Sequence, residues 1–223
     1  MIANLKVPSF GSPEFEKDAL EQLKAYQNAP AIIVDVRGNG GGSTPSRLTS
    51  ALMNKPYRWW TERTPLTVGL FRFYAQARPE IELNEYFRNA QLTWQSAENP
   101  PDPGAYAGRL FILVDRVTGS AAEDFTMPFK DNGRAVIVGE ATAGSTGQPF
   151  MFSFGDGIGI GIGTKRALMP DGSEFEGIGI IPDIVEQVQR IDLYSGKDRV
   201  LERAAAEARK GGGHEERRPR SLL

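Results

Sequence analysis

Apolar residues recur along this chain with two periods, and the switching between them lays out a series of strands and helices. Leu5 and Val7 alternate with polar neighbours, which predicts a strand running from the second residue. Ser12-Pro13 marks a helix start, and Phe15, Leu20, Leu23 and Tyr26 follow at roughly helical spacing among Glu14, Glu16, Lys17 and Lys24. Residues 31–36 are apolar at nearly every position, as in a strand buried on both faces. That run enters Arg37-Gly-Asn-Gly-Gly-Gly42 and then a second predicted helix over 46–53, a βα unit. Residues 110–114 and 135–139 repeat the buried-strand pattern, with a helix between them from Ala121 to about Asn132, stopped by Gly133. Phe150, Phe152 and Phe154, the turn Gly155-Asp-Gly157, and Ile158, Ile160 and Ile162 alternating with glycines read as a hairpin. A turn at Pro170-Asp-Gly172, a strand over 184–188 and a helix over 198–209 that points Val200, Leu201, Ala204, Ala205 and Ala208 at a core complete the pattern.

Two stretches break the pattern. Residues 55–108 scatter Trp59, Trp60, Phe71, Phe73, Tyr74, Tyr86, Phe87, Trp94 and Tyr106 among prolines, and read as an excursion that packs over the core or shapes a cleft. A helical insertion burying its own aromatics is the expected form. Glu62, Glu80, Glu85 and Glu98 dilute its basic residues and argue against a single-stranded nucleic-acid surface. Residues 209–223 have the glycine-rich, charged composition of a disordered tail.

Composition narrows the chemistry. The 223 residues include 26 Lys+Arg and 28 Asp+Glu, a formal charge of −2, with the signs interspersed. Nothing in that balance points to nucleic acid or an anionic membrane. No apolar run reaches membrane-spanning length, and the N-terminus lacks the features of a signal peptide. With no Cys, the chain has no disulfide, thiolate metal site or thiol nucleophile. The single His, His214, falls in the tail, where an imidazole is not held in line with a partner. A base for catalysis must therefore come from elsewhere.

Two motifs carry candidate chemistry. Arg37-Gly-Asn-Gly-Gly-Gly42 is followed by Ser43-Thr44-Pro45 and lacks the Lys of a phosphate loop, and the dinucleotide pattern would need glycine at position 43. Bare backbone amides at such a turn, before a helix, suit an oxyanion; a plain tight turn explains the glycines equally well. Ser120 follows a buried strand and opens a helix, where amides stabilise negative charge developing on a nucleophile. Ser120-Ala-Ala-Glu123 is also a capping box, which needs no chemistry. Glu123 and Asp124 read as helix-first-turn charges, Lys165 with Arg166 as a solvated pair, and Asp35 and Glu140 as structural hydrogen-bonding groups near the cleft.

Four ordered segments resemble the core of peptidase family S41: Arg37-Gly-Asn-Gly-Gly-Gly42, Val117-Thr-Gly-Ser-Ala-Ala-Glu-Asp124, residues 132–144, and Pro170-Asp-Gly with Phe175-Glu-Gly-Ile-Gly-Ile-Ile-Pro-Asp183. That family includes tail-specific and C-terminal processing proteases, the tricorn core and the interphotoreceptor retinoid-binding protein repeats. The resemblance covers about 1–205 and implies an α/β fold of the ClpP/crotonase kind, stacked ββα units with a mixed, mainly parallel buried sheet. It implies a core over 1–208 that lacks its N-terminal part and any PDZ domain. Carried over, Ser120 matches the nucleophile, and the amides of Ala121 and Gly41 match the oxyanion hole. Gly40, Gly42 and Ser145 would line the cleft.

In the tail-specific branch a Lys base follows the Thr-x-Gly segment; here Ser145 follows Thr142-Ala-Gly144. The tricorn-like branch uses an upstream His with a Glu, for which Glu176 is the match. The resemblance thus implies a serine peptidase core whose His base lies upstream of this chain, acting on peptide or protein substrates. No cofactor and no metal is implied, and homo-oligomerisation is left open. A noncatalytic module holding a peptide or apolar ligand on the same fold is the alternative, and a crotonase-like acyl-CoA enzyme a weaker one.

Overall fold

The computed structural model describes residues 2–65 and 91–210. In chain order it contains β1 (Ala3–Lys6), α1 (Pro13–Ala25), β2 (Ala31–Asp35), α2 (Ser46–Leu52), β3 (Thr61–Pro65), β4 (Gln91–Gln95), β5 (Arg109–Val114), α3 (Ala121–Asp131) and β6 (Val136–Gly139). There follow β7 (Pro149–Ser153), β8 (Gly159–Gly163), β9 (Arg166–Leu168), β10 (Ile184–Val185), α4 (Arg190–Ser195) and α5 (Arg199–Arg209).

The central sheet has the order β1-β2-β5-β6-β10, and every pairing in it is parallel. Each new strand joins the growing edge, so the chain winds in one direction and α1, α2 and α3 pack on one face. Strand pleating then sorts the apolar runs. Ile32, Val34, Ile112 and Val114 face Leu23, Leu48, Leu52, Phe125 and Phe129 of the three helices. Their neighbours Ile33, Phe111 and Leu113 point the other way, onto Val200 and Ala204 of α5. Covering both faces is what demands the unbroken apolar run Ala31 to Val34 in β2.

A second sheet, β4-β3-β9, is antiparallel, and its Ala167 packs with Trp60, Met127, Phe175 and Ile180. Met127 belongs to α3, so this cluster anchors the small sheet beside the helix that Ser120 opens. The expectation of a helical insertion fails in the described part of 55–108, where the regular elements are the paired strands 61–65 and 91–95; only the second of these shows apolar alternation, at Leu92 and Trp94. Trp60, Tyr57 and Tyr106 are buried, whereas Trp94 lies on the exposed side of β4. Phe71, Phe73, Tyr74, Tyr86 and Phe87 lie outside the described residues.

The predicted hairpin forms as β7 and β8, with Phe150 opposite Ile162 and Phe152 opposite Ile160. It stands clear of the core, with all of these side chains exposed. The last strand is shorter than expected, ending at Val185, and α4 carries no apolar stripe that announces it. The tail residues 211–223, His214 included, lie outside the described residues. Among the described residues no helix is long and apolar enough to cross a membrane.

Candidate active site

Three turns meet at the carboxyl ends of β2, β5 and β6. Asp115 shapes the first two: its carboxylate accepts the amides of Val117 and Thr118 as an Asx turn and reaches across to the Gly38 amide at 3.0 Å. The Thr118 hydroxyl donates to the Val36 carbonyl at 3.1 Å, and the Gly119 amide to the Asn39 carbonyl at 3.0 Å. The glycine turn and the approach to Ser120 are thereby locked together.

Ser120 itself is half-buried and sits at φ +51° and ψ −124°, a conformation rare for a residue with a side chain. Such a backbone costs about 1–3 kcal/mol and persists only where its surroundings over-determine it. Here they do so through the amide of Ser120, which donates both to the Ser145 carbonyl at 3.0 Å and to Glu123 Oε2 at 3.1 Å. The predicted capping box is therefore present. It coexists with a strained strand-to-helix turn that a cap alone does not require.

Gly41 explains why glycine stands there. Its φ is +106°, and a Cβ would lie 2.5 Å from Ser120 Cβ and 3.0 Å from the Ala121 nitrogen. The bare Cα leaves open the space in front of the Ala121 N–H, the first amide of α3. Among the described residues the amides of Ala121, Gly40 and Gly42 have no hydrogen-bond acceptor. The Gly41 amide donates to Asn39 Oδ1 at 3.0 Å, and Asn39, fully buried, donates in turn to the Val7 carbonyl at 3.1 Å.

Glu123 is the hub of the opposite wall. The expected first-turn charge and capping partner is also fully buried. Its carboxylate accepts from Thr142 Oγ1 at 2.5 Å and the amides of Gly144 at 2.7 Å and Ser145 at 3.0 Å, besides Ser120. Burial pushes this carboxyl above its ordinary range, against the pull of its four donors. Glu123 thus ties the Ser120 turn to residues 142–145.

Asp124 is half-buried as well, holding the Thr44 hydroxyl at 2.6 Å and the Trp60 indole N–H at 2.8 Å. Burial also raises its carboxyl, opposed by those two donors and by Lys165, with Glu62 reinforcing the rise. Lys165 is not a solvated partner of Arg166: its side chain is 13% exposed and pairs with Glu62, while Arg166 pairs with Glu174. Antiparallel β3 and β9 bring these groups together, a contact that local spacing does not encode. Asp35 does serve a structural bond, since Arg37 bridges it at 2.6 Å to Asp198 at 2.7 Å. Burial works against the Arg37 charge, and the two carboxylates outweigh it.

Of the residues singled out from the sequence, Ser120, Ala121, Gly41 and Ser145 meet at one place. Glu176 lies on the adjoining loop: the Gly177 amide donates to the Gly144 carbonyl at 2.8 Å, and Glu176 Oε1 accepts the Ala167 amide at 3.2 Å. Thr146, 4% exposed, carries a hydroxyl without a partner among the described residues. Sequence reasoning missed Asn39, Asp115, Thr142 and Thr146. Only Asp115 had a local signal, the Asp-x-x-Thr pattern of an Asx turn.

Comparison with known proteins gives this geometry its context. The sequence is 26% identical, over 75% of its length, to carboxyl-terminal-processing peptidase 2, chloroplastic, of Arabidopsis thaliana. It is 30% identical, over 64% of its length, to the tail-specific protease of Haemophilus influenzae. These matches span 28% and 17% of the two relatives, so the chain corresponds to a minor part of each. Mature CPAF complexed with lactacystin shares the fold, with a TM-score of 0.69 at 20% identity over 93% of this chain and 51% of that one. The sequence model described as Peptidase family S41 matches residues 1–186. By that match, which takes in both walls around Ser120, the chain belongs to peptidase family S41.

Proposed function

We propose that this chain is the catalytic core of a serine peptidase acting on peptide or protein substrates. The observation that carries the proposal is the strained Ser120 turn, with the Ala121 amide unpartnered and the space before it kept open by Gly41. A hydroxyl at that turn is presented to a substrate beside the N-terminus of α3, where negative charge is stabilised.

Ser120 Oγ attacks the scissile carbonyl and its proton passes to a base. The carbonyl oxygen becomes an oxyanion held by the Ala121 amide and by an amide of the glycine turn. Gly41 fills that second role by exchanging Asn39 Oδ1 for the oxyanion; the exposed Gly40 amide is its unpartnered neighbour. Collapse expels the amine, which takes the proton back from the base, and water then releases the acyl group by the same steps in reverse. Since the described residues include no histidine, the base in this proposal is an imidazole from a segment outside them, oriented by Glu176. Fold resemblance alone would not carry the assignment; the strained turn and the open amide at Ser120 support it.

Hydrolysis of a fluorogenic peptide mixture by the chain joined to the segment encoded upstream tests the proposal. Cleavage that disappears in Ser120→Ala is the expected result. Cleavage that persists undiminished in Ser120→Ala would overturn it.

A further inference from the structure

The two acidic residues that open α3 do different things. Glu123 reaches toward 142–145, whereas Asp124 reaches the other way, across to the segment that leaves the glycine turn. Thr44 lies two residues past Gly42, and the N-cap of α2, Pro45, provides no side-chain cap. The second and third amides of α2, Arg47 and Leu48, donate to Glu16 of α1 at 2.9 Å and 3.0 Å, which fastens α2 to α1. The bond from Thr44 Oγ1 to Asp124 Oδ2 at 2.6 Å instead fastens the exit of the glycine turn to α3. The other oxygen is held at 2.8 Å by the Trp60 indole, whose ring stacks on Phe175 with centroids 4.2 Å apart. Asp124 is therefore braced from behind, one helical turn beyond Ser120, whose carbonyl accepts the Asp124 amide at 3.0 Å.

We propose that Asp124 is a positioning residue: through Thr44 it sets how far the glycine-turn amides stand from the Ala121 amide, and so the width of the oxyanion site. The inference rests on the reading of Ser120 as nucleophile. Oxyanion stabilisation acts over hydrogen-bond distances and tolerates only about 0.5 Å of slack. A carboxylate suits the role because it accepts from Thr44 and Trp60 at once with a charge-assisted bond to each. Asparagine offers one acceptor oxygen and an amide that must face a donor.

The test measures the rate at which a fluorophosphonate modifies Ser120, by intact mass, in the wild type and in three variants, alongside amide NMR of Gly40, Gly41 and Gly42. Asp124→Asn and Thr44→Ala are expected to slow modification at least ~10-fold, since an ångström of misplacement costs up to about 100-fold. Thr44→Ser, which keeps the hydroxyl, restores the rate to within about twofold. Thermal unfolding shows whether a variant has lost its fold, and the serine rescue separates positioning from general damage. Wild-type modification with equal rates in Asp124→Asn and Thr44→Ala would overturn the inference and leave the serine reading standing. If Ser120 never reacts, the serine reading falls and the glycine amides decide: unmoved resonances in Asp124→Asn overturn the tether, and displaced ones restored in Thr44→Ser uphold it.

Discussion

The two walls beside Ser120 are built by consecutive residues using opposite means. Glu123 collects four donors, three of them backbone amides, so its wall is held as one unit by main-chain geometry. Asp124 collects two side-chain donors from distant segments, so its wall is held by contacts that a single substitution removes. The Glu123 wall therefore bears on whether the site folds, and the Asp124 wall on how accurately it is set.

The largest expected effect follows from stripping the first wall. Glu123→Ala leaves the Gly144 and Ser145 amides and the Thr142 hydroxyl without their acceptor, and the Ser120 amide with the Ser145 carbonyl alone, and is expected to cost about 4 kcal/mol in urea unfolding. A loss below about 1 kcal/mol would show that water replaces the carboxylate and that the wall is not a unit. Asp124→Asn keeps one acceptor and is expected to cost about 1–2 kcal/mol by the same measurement. Parity between the two substitutions would erase the contrast between the walls.

Acidity sharpens the comparison further. Both carboxyls are raised in the folded protein by burial, so the folded state binds protons more tightly than the unfolded chain. Their contribution is greatest below the ordinary carboxylate pKa and declines as pH rises through the raised folded values. Asp198, beside Arg37, is depressed instead, and its contribution is present above the ordinary value and lost as pH falls through the folded one. Relative to wild type, unfolding free energies across pH 3–8, an interval of about that width around carboxylate titration, should fall less steeply with pH in Glu123→Gln, Asp124 keeping its share, and no less steeply in Asp198→Asn. The smallest effect is expected for Trp60→Phe, which keeps an aromatic against Phe175 and removes one indole bond, at about 1 kcal/mol. A cost as large as that of Glu123→Ala would mean the brace behind Asp124 matters to folding.

What the amino-acid order revealed follows the same division between local and distant. The strands around 31–34, 110–114 and 136–138 declare themselves because their positions must be apolar when helices cover both faces. The turn at 37–42 and the start of α3 are equally local, and with the resemblance to peptidase family S41 they brought Ser120, Ala121 and Gly41 together. The partners of the charged residues were out of reach. Asp124 meets Thr44 and Trp60 across 80 and 64 residues, and Lys165 meets Glu62 across 103. No periodicity reports such a separation, so Asp124 read only as a first-turn charge and Lys165 as a solvated one. The β7–β8 hairpin shows the converse: its alternation and turn were legible, yet nothing in that pattern says whether its apolar face is covered.

The central claim is that Ser120 is a nucleophile whose strained turn and neighbouring amides serve chemistry. Reaction with a fluorophosphonate followed by peptide mapping tests it most directly, because the reagent needs an activated serine and an oxyanion site together. The account predicts one adduct, on Ser120, abolished in Ser120→Ala and strongly slowed by valine at position 41 in place of Gly41, whose φ of +106° and closeness to Ser120 leave no room for a side chain. Adducts spread over exposed serines, with Ser120 unmodified in the full-length protein as well, would contradict it.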